Sequence, residues 1–354
     1  MFYRENGQFK SSYAADQQLL PILQDRIFMF ALVAFAFVVV PLVVSDYLFL
    51  SLLIPFLILA LAAIGLNLVV GYCGQISIGH AAFMAVGAYA AYNLVLRVPQ
   101  LNFLVVLVLA GLIAAAVGML FGIPSLRIKG LYLAVATLGA QFFMDWLFAR
   151  VKWFTNYAHS GSVQTAPVQL FGWTIDEPAE KYVFLLAVLI LFTVIARNLV
   201  RGHIGRAWMA MRDMDVAAEV IGIRPVYAKL SAFAVSSFFV GVAGALWGFV
   251  HLGSWEPLAF NLTLSLNLLF MIIIGGMGSI LGSFFGAAFI VVLPILLNQL
   301  PTLLGIQMST AMISHLEFMI FGALIVFFLI VEPHGLARLW AIGKEKLRLW
   351  PFPH

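Results

Sequence analysis

Residues 197–229, RNLVRGHIGRAWMAMRDMDVAAEVIGIRPVYAK, stand between two long apolar runs and decide how the rest of the chain is laid out. The stretch sets Arg197, Arg201, Arg206, Arg212, Arg224 and Lys229 against Asp213, Asp215 and Glu219. A segment this basic stays on the membrane side where positive loops are retained. It also carries helix punctuation. The pattern predicts one short helix over about 205–212 and a second opened by Asp213 or Asp215 as N-cap. Gly222 closes the second in the C′ position, with Pro225 just beyond. A helix pair lying against the membrane surface is a shape for receiving another protein, whereas a plain solvated connector needs no caps.

Outward from that stretch the chain is oil. Hydrophobic residues make up 64% of the 354 and charged ones 10%, with mean hydropathy +1.06. Soluble domains are about half apolar and a quarter charged. The expected fold is therefore an all-α, polytopic transmembrane helical bundle, since a spanning helix needs about 20 mostly apolar residues. About ten stretches qualify: 27–45, 47–70, 74–96, 101–123, 131–149, 181–198, 228–251, 264–275, 279–299 and 314–332. The third is rich in Gly and small polar residues, and the eighth is too short to cross unless it continues through GGMGS.

This gives a membrane domain over 27–335, with a polar loop at 198–228 on one side and a larger one at 150–180 on the other. Residues 1–26 lack a basic n-region and a small-residue cleavage site, so they read as a cytoplasmic tail; 336–354 form a second. With the N-terminus inside, only Arg97, Arg150, Lys152 and Lys181 of the 19 Lys and Arg fall outside. That is the positive-inside bias. Trp146, Trp153, Trp173 and Trp255 are then expected near outer span ends, where indole rings favour the interface.

Several classes are excluded by what the chain lacks. No GxxxxGK[ST] loop is present to cradle ATP phosphates, and no HExxH or nucleophile elbow supplies a catalytic centre. Cys73 is the single cysteine, so no intrachain disulfide forms, and no Cys/His cluster suggests a metal. The net charge of +4 lies in loops, marks topology and does not read as nucleic-acid affinity. Within the spans, His80, Asp145 and Glu317 are ionisable, and both carboxylates lie near outer ends. An ion-coupled carrier usually places a carboxylate at mid-membrane, which weighs against that class.

The richest polar sequence at depth is NLVVGYCGQISIGH (67–80), with Asn67, Gln75, Ser77 and His80 among four glycines. Irregular backbone is tolerated in a bilayer only where protein buries it or where it lines a watery cavity. These four residues are the expected lining of a translocation path. The alternative is a cytoplasmic hairpin whose small residues simply pack, with His80 a hydrogen-bonded packing residue. Glycines four apart (Gly118 and Gly122, Gly244 and Gly248, Gly278, Gly282 and Gly286) allow close helix contact in lipid.

Five stretches carry a resemblance: GLNLVVGYCGQISIGHAAFMAVGAYAA (65–91), PSLRIKGLYLAVATLG (124–139), 204–248, LLFMIIIGGMGSILGSFFGAA (268–288) and EPHGLARLW (332–340). In this order the chain resembles the permeases of ATP-binding-cassette importers for branched-chain amino acids, closest to the M-type subunit of the Liv system. The resemblance implies the importer permease fold in a bacterial inner membrane with both termini cytoplasmic. It implies as partners a homologous H-type permease, two ATPase subunits that bind ATP and Mg, and a periplasmic solute-binding protein. The chain itself would hold no cofactor.

In that family an Ala-Ala-x-x-x-Gly element enters a cleft of the ATPase as a coupling helix. Ala217, Ala218, Glu219 and Gly222 fall on it, with Arg206, Arg212 and Asp213 just before. Ser283 stands where the family often has Pro, leaving the bend there open. The outer loop reads AHSGSVQTAPVQ (158–169) in place of a short Gly-rich Thr/Ser motif. Related permeases carry urea, short amides or aromatic acids, so these solutes, or sugars, are the alternative to leucine, isoleucine and valine. An ion-coupled secondary carrier is the alternative from another class.

Overall fold

The apolar runs form helices because lipid offers their backbones no other hydrogen-bond partner. The computed structural model describes residues 11–12, 23–128, 130–158, 161–170, 172–303, 310–332 and 335–349. Almost all of the N-terminal tail lies outside the described residues, as do His159 and Ser160 of the outer loop. Span-forming helices are α1 Arg26–Val43, α2 Asp46–Tyr72, α3 His80–Arg97, α4 Phe103–Leu126, α5 Leu131–Arg150 and α6 Pro178–Arg201. Two short helices follow, α7 His203–Asp213 and α8 Asp215–Val220. Then come α9 Pro225–Leu252, α10 Leu262–Gly275, α11 Ile280–Leu303, α12 Thr310–Val331 and α13 Gly335–Leu349.

Among the described residues eight helices are long and apolar enough to cross a membrane, α10 being counted with the turn Pro257–Phe260 before it. The less apolar α3 and the apolar Phe318–Phe328 of α12 bring the bundle to the expected ten or so. Widened π turns at Phe35–Val39 and Phe49–Leu53 precede Pro41 and Pro55. A proline has no N–H to close the α pattern, and local widening absorbs the loss.

The helical bundle is as expected, and its loops add two short strand pairs: β1 Val163–Gln164 with β4 Ser254–Trp255, and β2 Val168–Leu170 with β3 Trp173–Ile175, both antiparallel. These strands lie in loops outside the spans, where backbone groups pair with each other once the helix ends. Two smaller expectations are corrected. Trp255 is not an interface indole but is buried among Tyr89, Tyr92 and Phe249. Lys229 is not part of the loop. It sits in α9, buried, and its Nζ donates to the Ser125 carbonyl at 3.2 Å. A cation there meets the negative end of α4.

Helices α2, α3 and α9 make the centre. Gly87 faces Gly241 and Gly244 faces the Met84 carbonyl so closely that a Cβ on either glycine would overlap backbone. In lipid such contact is a main source of helix association. The loop ends sort onto two faces. Arg212, the Gly276–Ser279 turn, Ser125 with Lys229, and the start of α13 share one end. Val163 and Trp255 mark the other.

Candidate functional site

Helices α7 and α8 form a rigid bracket across the end where α2, α6 and α9 meet. Gly205 lies so close to the Val200 backbone that a Cβ there would overlap it, which lets α7 fold back against α6. Trp208 is fully buried and its Nε1 donates to Ser231 Oγ at 3.0 Å, tying α7 to α9. The boundaries match the expected pair, but the cap differs. Met214 is the N-cap of α8 and supplies no side-chain bond, while Asp215 stands in the first turn. Asp213 is taken by Arg212, whose Nε and Nη2 each lie 2.9 Å from its Oδ1. At the other end Gly222 has φ +92°. Its N–H donates to the Glu219 carbonyl, and that of Ile223 to Ala218, both at 3.0 Å. These are the two bonds of a Schellman cap.

Arg212 does more than pair with Asp213. Its Nη1 reaches the Gly71 carbonyl at 2.9 Å, at the last turn of α2. A Cβ on Gly74 would meet the Arg212 side chain, and one on Gly278 would lie 3.1 Å from its Nη1. Arg212 therefore bonds α2 through its guanidinium, packs its stem near the segment after α2 and lies beside the α10–α11 turn. Arg206 lies at the root of the bracket, its Nη1 3.3 Å from the Arg201 carbonyl. Of α8, Ala218 is buried, while Ala217 and Glu219 are exposed. Met214, Val216, Val220 and Ile221 also face out, the last two 83% and 74% exposed. Such an apolar patch on a polar loop marks a surface for a partner.

The second group lies deeper. Asn67 Nδ2 donates to Ser279 O and Ser283 Oγ, both at 2.9 Å, and Asn67 Oδ1 accepts from Gly278 N at 2.8 Å. Ser283, where a proline was the family expectation, is buried. It also gives its N–H to the Ser279 carbonyl at 3.2 Å, a bond proline cannot make.

Between α2 and α3 the chain runs irregularly through 73–79. Its depth follows from its partners. Ile78 N–H donates to Thr137 Oγ1 at 3.0 Å, and His80 Nε2 lies 2.9 Å from Ser236 Oγ. Ser236 is eleven residues into α9, or about 16 Å along it at about 1.5 Å per residue. The hydrocarbon core is about 30 Å thick, so α3 begins near mid-membrane. Its first amides are capped by side chains from other spans: Ala81 N–H by Ser265 Oγ and Ala82 N–H by Gln141 Oε1, each at 2.8 Å. Gln141 in turn donates to Asp145 and to the Phe260 carbonyl. Gln141, Ser236 and Ser265 were not singled out in the sequence, where a lone Ser or Gln in a span carries no signal.

Gln75, Ser77 and His80 lie along this strip and at its end, while Asn67 is turned away to the Gly276–Ser279 turn; all four are buried. His80 is held on both ring nitrogens, by Ser77 at 2.8 Å and by Ser236. Gln75 Oε1 has no hydrogen-bond partner. The strip is open on one side: burial alternates along it, with Gly74 exposed and Ile76 41% exposed while Cys73, Gln75 and Ser77 are covered. Among the described residues no group of three or more His, Cys, Asp or Glu is gathered as metal ligands would be. A cleft of about 440 Å³ lies between α1, α6 and the β2–β3 pair. It is lined by apolar groups apart from Glu180, which accepts from Trp173 Nε1.

A multi-pass helical bundle with a broken span at mid-membrane and a rigid bracket across one end has the build of a membrane permease. The family described as branched-chain amino acid transport system / permease component matches residues 48–329, and the chain belongs to it. It is similar to the high-affinity branched-chain amino acid transport system permease proteins LivM of Salmonella typhimurium and Escherichia coli. Each is 30% identical over 303 residues, 79% of this chain and 68% of the relative. No solved structure gives a significant match.

Proposed function

We propose that this permease is the M-type subunit of an ATP-binding-cassette importer that moves branched-chain amino acids into the cytoplasm across a bacterial inner membrane. What supports the reading is the bracket: a capped helix pair, fixed to α6 and α9, that turns an apolar patch outward and sends Arg212 into the bundle. On the reading, ATP and Mg bind to two partner ATPase subunits. One of them receives α8 through Val216, Val220 and Ile221, with Ala217, Glu219 and the Gly222 cap shaping the contact. Closure of the ATPase pair pushes the bracket, and Arg212 passes the displacement to α2 and the Gly276–Ser279 turn. The bracket end faces the cytoplasm, as the basic residues require.

The solute path runs along the open side of the 73–79 strip, against a homologous H-type permease. Irregular backbone cannot face lipid within the membrane, so the exposed edge at Ile76 needs either that partner or water, while Gly74 lies at the bracket end beside Arg212. A periplasmic solute-binding protein docks at the opposite end, over 150–180 and 252–263, and sets selectivity.

The test is ATP-driven uptake of leucine by the assembled transporter in proteoliposomes. A variant with Glu219→Ala and Gly222→Pro is expected to assemble with its partners and lose uptake. Normal uptake would remove the coupling role, and uptake by this chain alone, without ATP, would remove the importer reading.

A further inference from the structure

The sequence beyond the last span reads as a tail, yet residues 335–349 fold as helix α13. Gly335, with φ +65°, starts it hard against the Ile274 carbonyl and the Gly276 amide, so the helix leaves from the same end as the bracket. Leu336, Leu339, Trp340 and Gly343 fall at helical spacing on one stripe, and the sequence continues it with Leu347. Leu336 packs on the bundle core. Leu339 and Trp340 are 48% and 54% exposed, so the chain itself covers only part of the stripe.

The depth of the helix can be read from one contact. The Trp340 ring lies 5.8 Å from that of Phe285, five residues into α11. At about 1.5 Å per residue this is about 7 Å above the helix end. Helices that lie in the plane of a membrane bury their apolar face about 5–10 Å below the headgroups. Flanking the stripe are Arg338, Lys344 and Lys346, with Arg348 next in sequence, against Glu345 alone. Arg338 keeps its side chain half exposed although it lies 3.3 Å from Glu332. Basic residues at this level face the phosphates of the leaflet.

We infer that α13 lies in the headgroup layer at the bracket end and binds anionic phospholipid there, its basic residues on the phosphates and Trp340 in the acyl boundary. Because Gly335 abuts the Gly276–Ser279 turn, lipid binding by α13 holds the same turn that Asn67 and Arg212 touch. The placement at the inner leaflet rests on the orientation proposed above, but the lipid contact does not.

The test is amide hydrogen exchange of 335–349 in the full chain in lipid nanodiscs, with phosphatidylcholine alone or mixed with phosphatidylglycerol. Exchange is expected to slow roughly thirtyfold when the anionic lipid is present, as two lysine–headgroup contacts would give. High salt should reverse it. A Lys344→Gln, Lys346→Gln, Arg348→Gln variant should lose the lipid response, while unchanged protection in α2 and α9 reports an intact fold. Equal exchange in both lipids would overturn the proposal. So would protection that appears only when ATPase subunits are added, which would assign the helix to a protein partner. Nanodiscs present both faces, so either result stands apart from whether the chain imports amino acids.

Discussion

Asn67 is the side chain on which the bracket end of the bundle turns. One amide group joins α2 to the Gly276–Ser279 turn more than 200 residues on, using its NH2 toward Ser279 and Ser283 and its oxygen toward Gly278. Replacing it by leucine keeps the bulk and leaves the Gly278 N–H and the Ser279 carbonyl without this partner. Hydrogen bonds within membrane proteins are worth about 0.6 kcal/mol each on average and up to about 1.7. The expected loss for Asn67→Leu is therefore about 1–3 kcal/mol, read as a lower thermal midpoint of the purified chain. Ser283→Ala gives up one of these bonds and should cost less than half as much. A drop for Ser283→Ala as large as that for Asn67→Leu would mean the turn is held by something else. None of this was visible in the sequence, where Asn67 was one polar residue among several and Ser283 read only as a missing proline.

The bracket was the most legible element, because its signals are local. Arginine content, the Gly222 stop and Pro225 after it read directly as two short helices, and α7 and α8 sit where those marks place them. What sequence could not show was which cap would form, since Asp213 is drawn off by Arg212, or that Arg212 would reach Gly71. Such contacts depend on tertiary approach and leave no periodic trace. The same limit explains the buried Trp255, which reads as an interface indole until Tyr89 and Phe249 close around it.

Two outcomes follow at this scale. Gly222→Ala forces a side chain into a φ of +92° with nothing else in the way. The backbone cost of about 1–2 kcal/mol should fray the end of α8, measured as faster hydrogen exchange over 215–223, with the spans unaffected. Arg212→Ala keeps the Schellman cap and removes the link to α2. The assembled transporter should then hydrolyse ATP with leucine uptake falling at least about tenfold, since the charge-assisted bond lost is worth about 1.5–3 kcal/mol. Proportionate loss of both activities would show that Arg212 merely stabilises the chain.

At the scale of the whole molecule the arrangement is lopsided. The centre, α2, α3 and α9, is packed backbone to backbone, whereas the 73–79 strip reaches mid-membrane with one edge open. A closed bundle made for stability alone would have continued the helix, since each residue of irregular backbone at depth needs partners that Thr137, Ser265 and Gln141 have to supply. Those partners come from α5 and α10, so motion of either helix moves the start of α3. The Gly276–Ser279 turn at the end of α10 is within reach of Arg212, so the bracket is joined to the start of α3 through α10 and Ser265, and to the strip directly at Gly74. A cysteine placed at Ile76, in a chain whose own Cys73 is replaced by serine, puts a probe on the open edge. In the assembled transporter it should react with a water-soluble thiol reagent, and the rate should change several-fold when ATP is added. Replacing buried Ser77 in the same way should give little labelling in any state. If Ile76→Cys labels only with a membrane-permeant reagent and ignores nucleotide, the edge is sealed by a protein contact, and the path runs elsewhere through the assembly.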